Sequence, residues 1–242
     1  MARLTFLGAV GEVTGSRYLI DTRQSRILLE CGIHQGGSGA DRANRRSLRR
    51  LAGRLDAVVL SHGHLDHSGL LPKLVRDGFG GPIYCTNGTH ELLAIMLHDA
   101  ANVMAHDLER ENRRRRRADR KLLEPQYTAE DVEATLAQCR PLPYGTSEDI
   151  STDVRICFHD AGHILGAAIV ELIPRDGKEE RRLVFSGDLG HTGSVLMNDP
   201  APLQKADTVL LESTYGDRDH RPRDDTIEEL ADILEETDRQ GG

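Results

Sequence analysis

Three histidines and one aspartate fall within six consecutive positions of the stretch SHGHLDHSG, directly after the apolar run DAVVL. A short, unbroken apolar run predicts a strand that is buried on both faces, so the four polar side chains follow its end in a tight loop. Imidazole and carboxylate ligands without a nearby thiolate favour zinc or a similar cation. We expect His62 and His64 to converge on one metal ion, and Asp66 and His67 to reach a second.

One loop cannot surround two ions, because a catalytic metal site needs ligands from several sides and one position open to water. Two later motifs can supply them: CFHDAGHILGAA places His163 in a glycine-flanked turn, and LVFSGDLG places Asp188 after an apolar strand. Taken alone, a histidine in the position of His163 is more often structural, and an aspartate in the position of Asp188 is more often part of a turn or a helix cap. Together with the loop, they predict a shared metal site in which Asp188 bridges two cations.

Segments with strand and helix patterns alternate along the chain. RLTFLG, RYLID and RILLEC predict an antiparallel group near the N-terminus. Helical patterns follow after Gly69, from about Gly88 to Arg120, and from Thr128, where Thr128 and Asp131 resemble a capping box. Strands return with VRICFHD, AAIVELI, RRLVFSGD and DTVLLES. This alternation predicts a layered α/β architecture.

The amino-acid composition argues against some classes of function. A formal net charge of −8 argues against a generic nucleic-acid coat protein, but not against a nuclease, since bound cations and local arginine clusters change the field near a phosphate. The basic stretch from Arg110 to Lys121 is predicted to be a solvated helix face or a mobile loop, with contact to a phosphate backbone as the alternative, and the role of the Arg113 to Arg117 run stays open. Four scattered cysteines indicate reduced thiols in a cytoplasmic protein. No apolar segment approaches membrane-spanning length, which predicts no membrane partner.

The motifs SHGHLDHSG, GHILGA and SGDLG, in this order after such strands, resemble those of the metallo-β-lactamase fold of binuclear hydrolases. FLGAVGEVTGSRYLI, LLECGIHQGG and LLESTYGDRDHRP narrow the resemblance to the β-CASP branch, whose members are RNA-processing nucleases. The likeness runs through nearly all 242 residues. It implies an α/β fold, a metallo-β-lactamase αββα sandwich, and a zinc-dependent hydrolase that cleaves RNA phosphodiester bonds.

The resemblance also implies a role for each matching residue. His62, His64 and His163 would hold the first of two Zn²⁺ ions. Asp66 and His67 would hold the second, and Asp188 would bridge the two, so that Asp66 and Asp188 also serve catalysis.

Three further residues match positions outside the ligand set. Glu212 would orient a histidine that acts as general acid, although a strand-end surface glutamate is the alternative. His220 matches a recurrent position, with an RNA-side or structural role. Glu30 stands where the family normally has an aspartate that supports the metal ligands, so its longer side chain puts that hydrogen bond in question.

The family pattern continues beyond this chain, with a β-CASP cap, a general-acid histidine and a last histidine that completes the second zinc site. None of these can be matched in the sequence. We therefore expect residues 1–216 to form an incomplete metallo-β-lactamase domain and residues 217–242 the start of a truncated cap. Such a chain should bind one zinc well and a second poorly, and should cleave RNA weakly or not at all.

Two alternative functions remain. One is a metallo-β-lactamase-fold hydrolase of a small molecule, similar to the thioesterases. The other is a non-catalytic RNA-processing subunit, which the complete set of predicted ligands speaks against for the parent protein. The sequence leaves open the choice between endonuclease and exonuclease, the preferred RNA and a possible homodimer.

Overall fold

The chain builds two β-sheets that face each other, seen here in a computed structural model that describes residues 2–177, 179–219 and 221–241. The strands are β1 (Arg3–Gly8), β2 (Arg17–Asp21), β3 (Arg26–Leu29), β4 (Ala57–Val59), β5 (Ile83–Thr86), β6 (Cys139–Leu142), β7 (Ser147–Ser151), β8 (Val154–Asp160), β9 (Ala168–Asp176), β10 (Glu179–Glu180), β11 (Leu183–Phe185) and β12 (Thr208–Leu210). The helices are α1 (Gly37–Asn44), α2 (Arg49–Ala52), α3 (Leu65–Ser68), α4 (Leu71–Arg76), α5 (Asn87–Arg117), α6 (Ala129–Gln138) and α7 (Arg223–Arg239).

The first sheet has the order β1-β2-β3-β4-β5-β6 and the second the order β12-β11-β9-β8-β7, with β10 paired to β9. Strands β1 to β3 pair antiparallel, as the turn-separated N-terminal segments predict, and β3 to β6 pair parallel. The parallel connections run through helices, which is the way a chain returns to start a parallel neighbour.

Alternating side chains of both sheets form the core between them. On the first sheet, Ile20 and Val59 point into this core, and on the second sheet Ile156, Phe158 and Val170 do so. All five are at most 1% exposed. Because the strands of each sheet are fixed by this shared apolar layer, the positions of their ends relative to one another are fixed as well.

A helical layer covers the other face of the first sheet. Val58 and Leu60 of the fourth strand segment pack there with Leu93 of α5 and Val132 of α6. Strand β4 is therefore buried on both faces, as its unbroken apolar run predicts. Helix α6 begins at the predicted place, where the backbone N–H of Thr128 donates to the Asp131 carboxylate at 2.8 Å.

The outer face of the second sheet carries a smaller apolar cluster. Ile169 of β9 and Val184 of β11 are covered there by Leu189 and Leu203 of the coil segments that follow. The predicted layered α/β fold is confirmed, and within the described residues 2–211 its helices lie on the side of the first sheet.

The chain divides into two compact units, residues 1–211 and residues 212–242. The second unit contains α7, which begins at Arg223. Ile227, Leu230 and Leu234 of this helix follow the spacing of one amphipathic stripe. In the described part of the chain, no helix combines the length and the apolar character that crossing a membrane requires.

Asp153 joins the turns of the two sheets. Its carboxylate, 4% exposed, accepts hydrogen bonds from the Ser25 hydroxyl at 2.6 Å and from the Gln24 backbone N–H at 3.1 Å. Burial raises the pKa of Asp153, but the hydrogen bonds from Ser25, Thr22 and Gln24 outweigh burial and hold this pKa below its ordinary value.

We predict that Asp153→Ala lowers the free energy of unfolding by about 1.5–3 kcal/mol at pH 7, because hydrogen bonds to a charged carboxylate are lost and the hydroxyl of the buried Ser25 stays unpaired. Because the pKa of Asp153 is lower in the folded than in the unfolded protein, its ionised carboxylate stabilises the fold at pH values above the unfolded pKa of about 3.9. This stabilisation is lost as the pH falls through the folded-state pKa. The gap between wild type and variant should therefore narrow below about pH 4 in urea unfolding.

The matched control is Asp149→Ala, which removes an exposed carboxylate from the neighbouring strand β7. It should destabilise the protein less than Asp153→Ala does, because exposed ion pairs contribute little to stability. An Asp153→Ala loss no larger than that of the control, or one that stays constant down to pH 3, would contradict this role.

Candidate metal centre

The histidine loop follows β4 and is held by backbone contacts to two other segments. The carbonyls of Asp66 and His67 accept hydrogen bonds from the N–H groups of Ser16 at 2.9 Å and Cys31 at 2.7 Å. Gly32 allows this close approach, since a Cβ on it would lie 1.6 Å from the Asp66 carbonyl oxygen. Backbone hydrogen bonds within the protein therefore hold the loop in place without the help of a bound metal ion.

Four ligand atoms from three strand ends meet in a first cluster, formed by His62, His64, His163 and Asp188. His62 Nε2 lies 3.1 Å from His64 Nδ1, which lies 3.3 Å from His163 Nε2. Asp188 Oδ2 lies 3.5 Å from His62 Nε2 and 3.6 Å from His163 Nε2. A tetrahedral zinc ion with bonds of about 2.0–2.1 Å keeps its ligand atoms about 3.3 Å apart, so the donor set and its spacing fit such a cation.

His163 and Asp188 reach this point on two turns that contact each other. His163 follows β8 and Asp188 follows β11, and the Gly190 N–H donates to the Ala161 carbonyl at 2.8 Å. A Cβ on Gly190 would lie 1.8 Å from the carbonyl oxygen of Gly162, so only glycine permits this packing. The small neighbours expected from the sequence therefore bring the two turns together.

A second cluster lies beside the first and shares Asp188 with it. Asp188 Oδ1 lies 3.3 Å from His67 Nε2, and Asp66 Oδ2 lies 3.7 Å from the same nitrogen. The two carboxylate oxygens of Asp188 thus face different clusters, one on each side. This is the geometry that a bridging ligand requires.

Glu30 positions two of the imidazoles. Its fully buried carboxylate accepts from the Ser61 N–H at 2.7 Å and hydroxyl at 2.8 Å, and lies 2.5 Å from His67 Nδ1. The Ser61 hydroxyl in turn lies 2.9 Å from His62 Nδ1. In both rings the Nδ1 atom is engaged, which leaves Nε2 directed into the clusters.

The hydrogen bond that the longer Glu30 side chain put in question is therefore made. Glu30 adopts a φ of 63°, in the left-handed region that non-glycine residues rarely occupy. Such backbone strain persists only where surrounding contacts over-determine it. Here the Glu30 N–H donates to Val59 of β4 while the side chain makes its three contacts.

The charges of the site arise from burial and from this network. Burial lowers the pKa of His67, but hydrogen bonds and charges from Asp188 and Glu30 outweigh it and raise that pKa to about 10. Burial raises the pKa of Asp188, yet the hydrogen bond to His67 and the nearby imidazoles bring it well below its ordinary value. For His62, burial and the His67 charge lower the pKa. A cation held by His67 and Asp66 would take the place of the proton on His67.

The remaining sequence predictions have different outcomes. Glu212 begins the second unit, and its role stays a prediction. His220 lies outside the described residues. The Arg113 to Arg117 run forms the last turns of α5, where Arg115 pairs with Glu111 at 2.9 Å.

A third group of ligand-type residues, Cys157, His159 and Glu171, was not anticipated from the sequence. It lies on neighbouring strands β8 and β9, where Cys157 and Glu171 are register partners. His159 Nε2 lies 3.1 Å from Glu171, and Arg182 pairs with the same carboxylate at 3.0 Å. These two contacts satisfy the Glu171 carboxylate without a metal ion.

The chain is similar in sequence to several known proteins. The sequence profile of the Metallo-beta-lactamase superfamily matches residues 10–146. Ribonuclease TTHA0252 of Thermus thermophilus is 41% identical over 240 residues, which are 99% of this chain and 50% of that protein. Transcription termination factor FttA of Methanocaldococcus jannaschii is 32% identical over 244 residues, 99% of this chain and 36% of that protein.

Among solved structures, the metallo-beta-lactamase fold protein YhfI of Bacillus subtilis aligns with a TM-score of 0.46 and 19% identity, covering 79% of this chain and 64% of that one. The chain spans half or less of the length of the two curated relatives described above.

We predict that Glu30→Gln weakens zinc binding by about 10–100-fold, the usual effect of removing a group that orients a ligand histidine. The matched control is Glu171→Gln, the same change at another buried glutamate in contact with a histidine, which should leave zinc affinity unchanged. Competition with a chromophoric chelator measures both. Equal affinities in all three folded proteins would contradict the positioning role of Glu30.

Proposed function

The chain belongs to the metallo-beta-lactamase superfamily, and from that premise we propose that it carries the hydrolytic centre of a binuclear, zinc-dependent ribonuclease. The observation that carries the proposal is the placement of Asp188 between two clusters, with one oxygen 3.3 Å from His67 and the other 3.5 Å from His62. The residue types and spacings suit two cations a few ångströms apart, the arrangement that phosphodiester hydrolases use.

The ligand assignment follows the geometry. His62, His64 and His163 would hold one zinc ion, Asp66 and His67 the other, and Asp188 both. Divalent cations held there would make water acidic enough to attack phosphorus near neutral pH and would offset the negative charge of the phosphate.

The protein's own groups would prepare that chemistry. Glu30 and Ser61 hold Nδ1 of His67 and of His62, so that neither ring turns its lone pair away. The carboxylate of Asp188 stays ionised at neutral pH because the imidazoles beside it lower its pKa. Glu212 would orient the histidine that protonates the leaving oxygen, as the family resemblance implies.

RNA as the substrate is supported by the relatives. The protein named ribonuclease TTHA0252 aligns with 99% of this chain at 41% identity, and the archaeal relative is named a transcription termination factor. Since the chain spans half of the first relative, the activity proposed belongs to the whole protein. The domain assignment, with residues 1–216 as the metallo-β-lactamase domain and 217–242 as the start of a cap, is part of the same proposal.

The proposal includes a cytoplasmic protein. It is supported by Cys31, Cys85, Cys139 and Cys157, which are all buried free thiols, as expected in a reducing compartment.

We predict that the 242-residue chain cleaves end-labelled RNA weakly or not at all in the presence of zinc, and that a longer form that includes a cap domain of the family cleaves it faster. Asp188→Asn should reduce cleavage by the longer form at least about 100-fold, because the charge that organises both clusters is lost. Asp107→Asn, an exposed carboxylate on α5, is the matched control and should leave the rate unchanged.

Gel analysis of the products measures this prediction and also distinguishes internal cleavage from trimming of ends. A longer form that hydrolyses a thioester or a lactam but leaves RNA intact would contradict the substrate assignment. Undiminished cleavage by the folded Asp188→Asn protein would contradict the assignment of the centre.

A further inference from the structure

A groove of about 1020 Å³ lies on the outer face of the first sheet and is rich in arginine. We name it the arginine groove after the six arginines that line it: Arg3, Arg17, Arg26, Arg46, Arg50 and Arg54. Its lining includes two carboxylates, Glu12 and Asp21. The groove thus carries a positive excess within a chain whose formal net charge is −8.

The period-two alternation of β1 and β2 creates the floor of this groove. Leu4 and Ile20 point into the core between the sheets, so Arg3, Arg17 and Asp21, each an odd number of positions from one of them on the same strand, point to the opposite face. Strand β3 contributes Arg26, and the segment of α1, α2 and their flanking residues forms the wall that carries Arg46, Arg50 and Arg54.

Most of the acidic charge in the groove is already engaged. Asp21 pairs with both Arg3 at 2.8 Å and Arg26 at 2.5 Å. Glu12 lies 3.6 Å from His34. Within the described residues, Arg46, Arg50 and Arg54 have no carboxylate at ion-pair distance, and all three side chains are exposed. Their positive charge is therefore available to an external anion.

Arg17 is the feature that points to a ligand. It is only 8% exposed, and its Nε atom has no hydrogen-bond partner among the described residues. A buried donor without an acceptor costs about 1–3 kcal/mol, more when it is charged. A phosphate group in the groove would accept hydrogen bonds from this guanidinium. A guanidinium can donate two parallel hydrogen bonds to a phosphate, whereas an ammonium group acts as a point charge.

The groove begins next to the metal centre. Arg17 directly follows Ser16, whose N–H donates to the Asp66 carbonyl at 2.9 Å. From Arg17 to Asp21 strand β2 runs for five residues, which is about 13 Å at the usual rise per residue. A chain of phosphates lying along β2 would thus lead towards the loop that carries Asp66 and His67.

We propose that the arginine groove binds the phosphodiester backbone of single-stranded RNA and directs it to the metal centre; the proposal rests on the proposed ribonuclease function. A polymer fits better than a single phosphate ion, because the unpaired arginines extend from Arg17 on the sheet to Arg54 beyond α2. Contacts to phosphates do not distinguish one base from another, so binding should not depend on the RNA sequence and should weaken as the salt concentration rises.

The test measures binding of a fluorescent phosphorothioate RNA 20-mer, which resists cleavage, to the zinc-loaded 242-residue chain by fluorescence anisotropy between 50 and 200 mM NaCl. The variant R46Q/R50Q/R54Q should weaken binding about 10-fold at the lowest salt. Its plot of log affinity against log salt should also become shallower by about 2, since each lost phosphate contact removes about 0.7 from the slope.

The matched control R114Q/R116Q/R117Q removes the same charge from exposed positions of α5 and should change affinity less than about twofold. Arg17→Met gives an independent readout. It should weaken RNA binding several-fold without lowering the thermal unfolding temperature, because the guanidinium it removes is buried without a partner for Nε. A merely structural arginine would instead lower that temperature.

Equal losses in the groove variant and the α5 control would overturn the proposal, as would wild-type chain that does not bind the RNA at all. Neither result affects the metal centre, whose function is decided separately by the Asp188→Asn cleavage assay. Inorganic phosphate, added at ionic strength matched with NaCl, should displace RNA no better than chloride. Selective displacement by phosphate would show a small-anion site instead of an RNA path.

Discussion

The candidate metal centre depends on the close approach of three imidazole rings and one carboxylate at one edge of the two sheets. Ring nitrogens of His62, His64 and His163 and an oxygen of Asp188 lie within 4.8 Å of one another, and neighbouring pairs are as close as 3.1 Å. Imidazole lone pairs this close repel each other unless a proton or a cation lies between them. A divalent cation relieves the repulsion of all four groups at once, which a proton cannot do.

The fold holds these groups in place through its apolar layers. The core between the sheets fixes β4, β8 and β11 relative to each other, and the candidate ligands follow the ends of these strands. Glu30 then links β3 to the loop through Ser61 and His67. Its positive φ and full burial are costs that the packing of the sheets offsets. Ser16, which contacts the histidine loop, directly precedes strand β2, and β2 forms part of the floor of the arginine groove.

Much of the site could be predicted from the sequence because its residues stand in short motifs after apolar strands. His62, His64, His163 and Asp188 required only that three strand ends, those of β4, β8 and β11, meet at one edge. Other features depend on contacts between distant parts of the chain. The Glu30 carboxylate could not be placed without knowing its unusual backbone angle. The groove unites Arg3 with Arg54, which no local pattern connects. Strands β6 and β7, with the sequences CRPL and SEDIS, were missed because polar residues and a proline obscure the strand pattern.

The most direct test of this account is a crystal structure of zinc-loaded protein with anomalous data collected at the zinc absorption edge. The account predicts one strong anomalous peak about 2.0–2.2 Å from His62 Nε2, His64 Nδ1, His163 Nε2 and an Asp188 oxygen, with a weaker peak beside His67 and Asp66. A structure in which His163 or Asp188 points away from the histidine loop, or in which zinc binds only elsewhere, would contradict it.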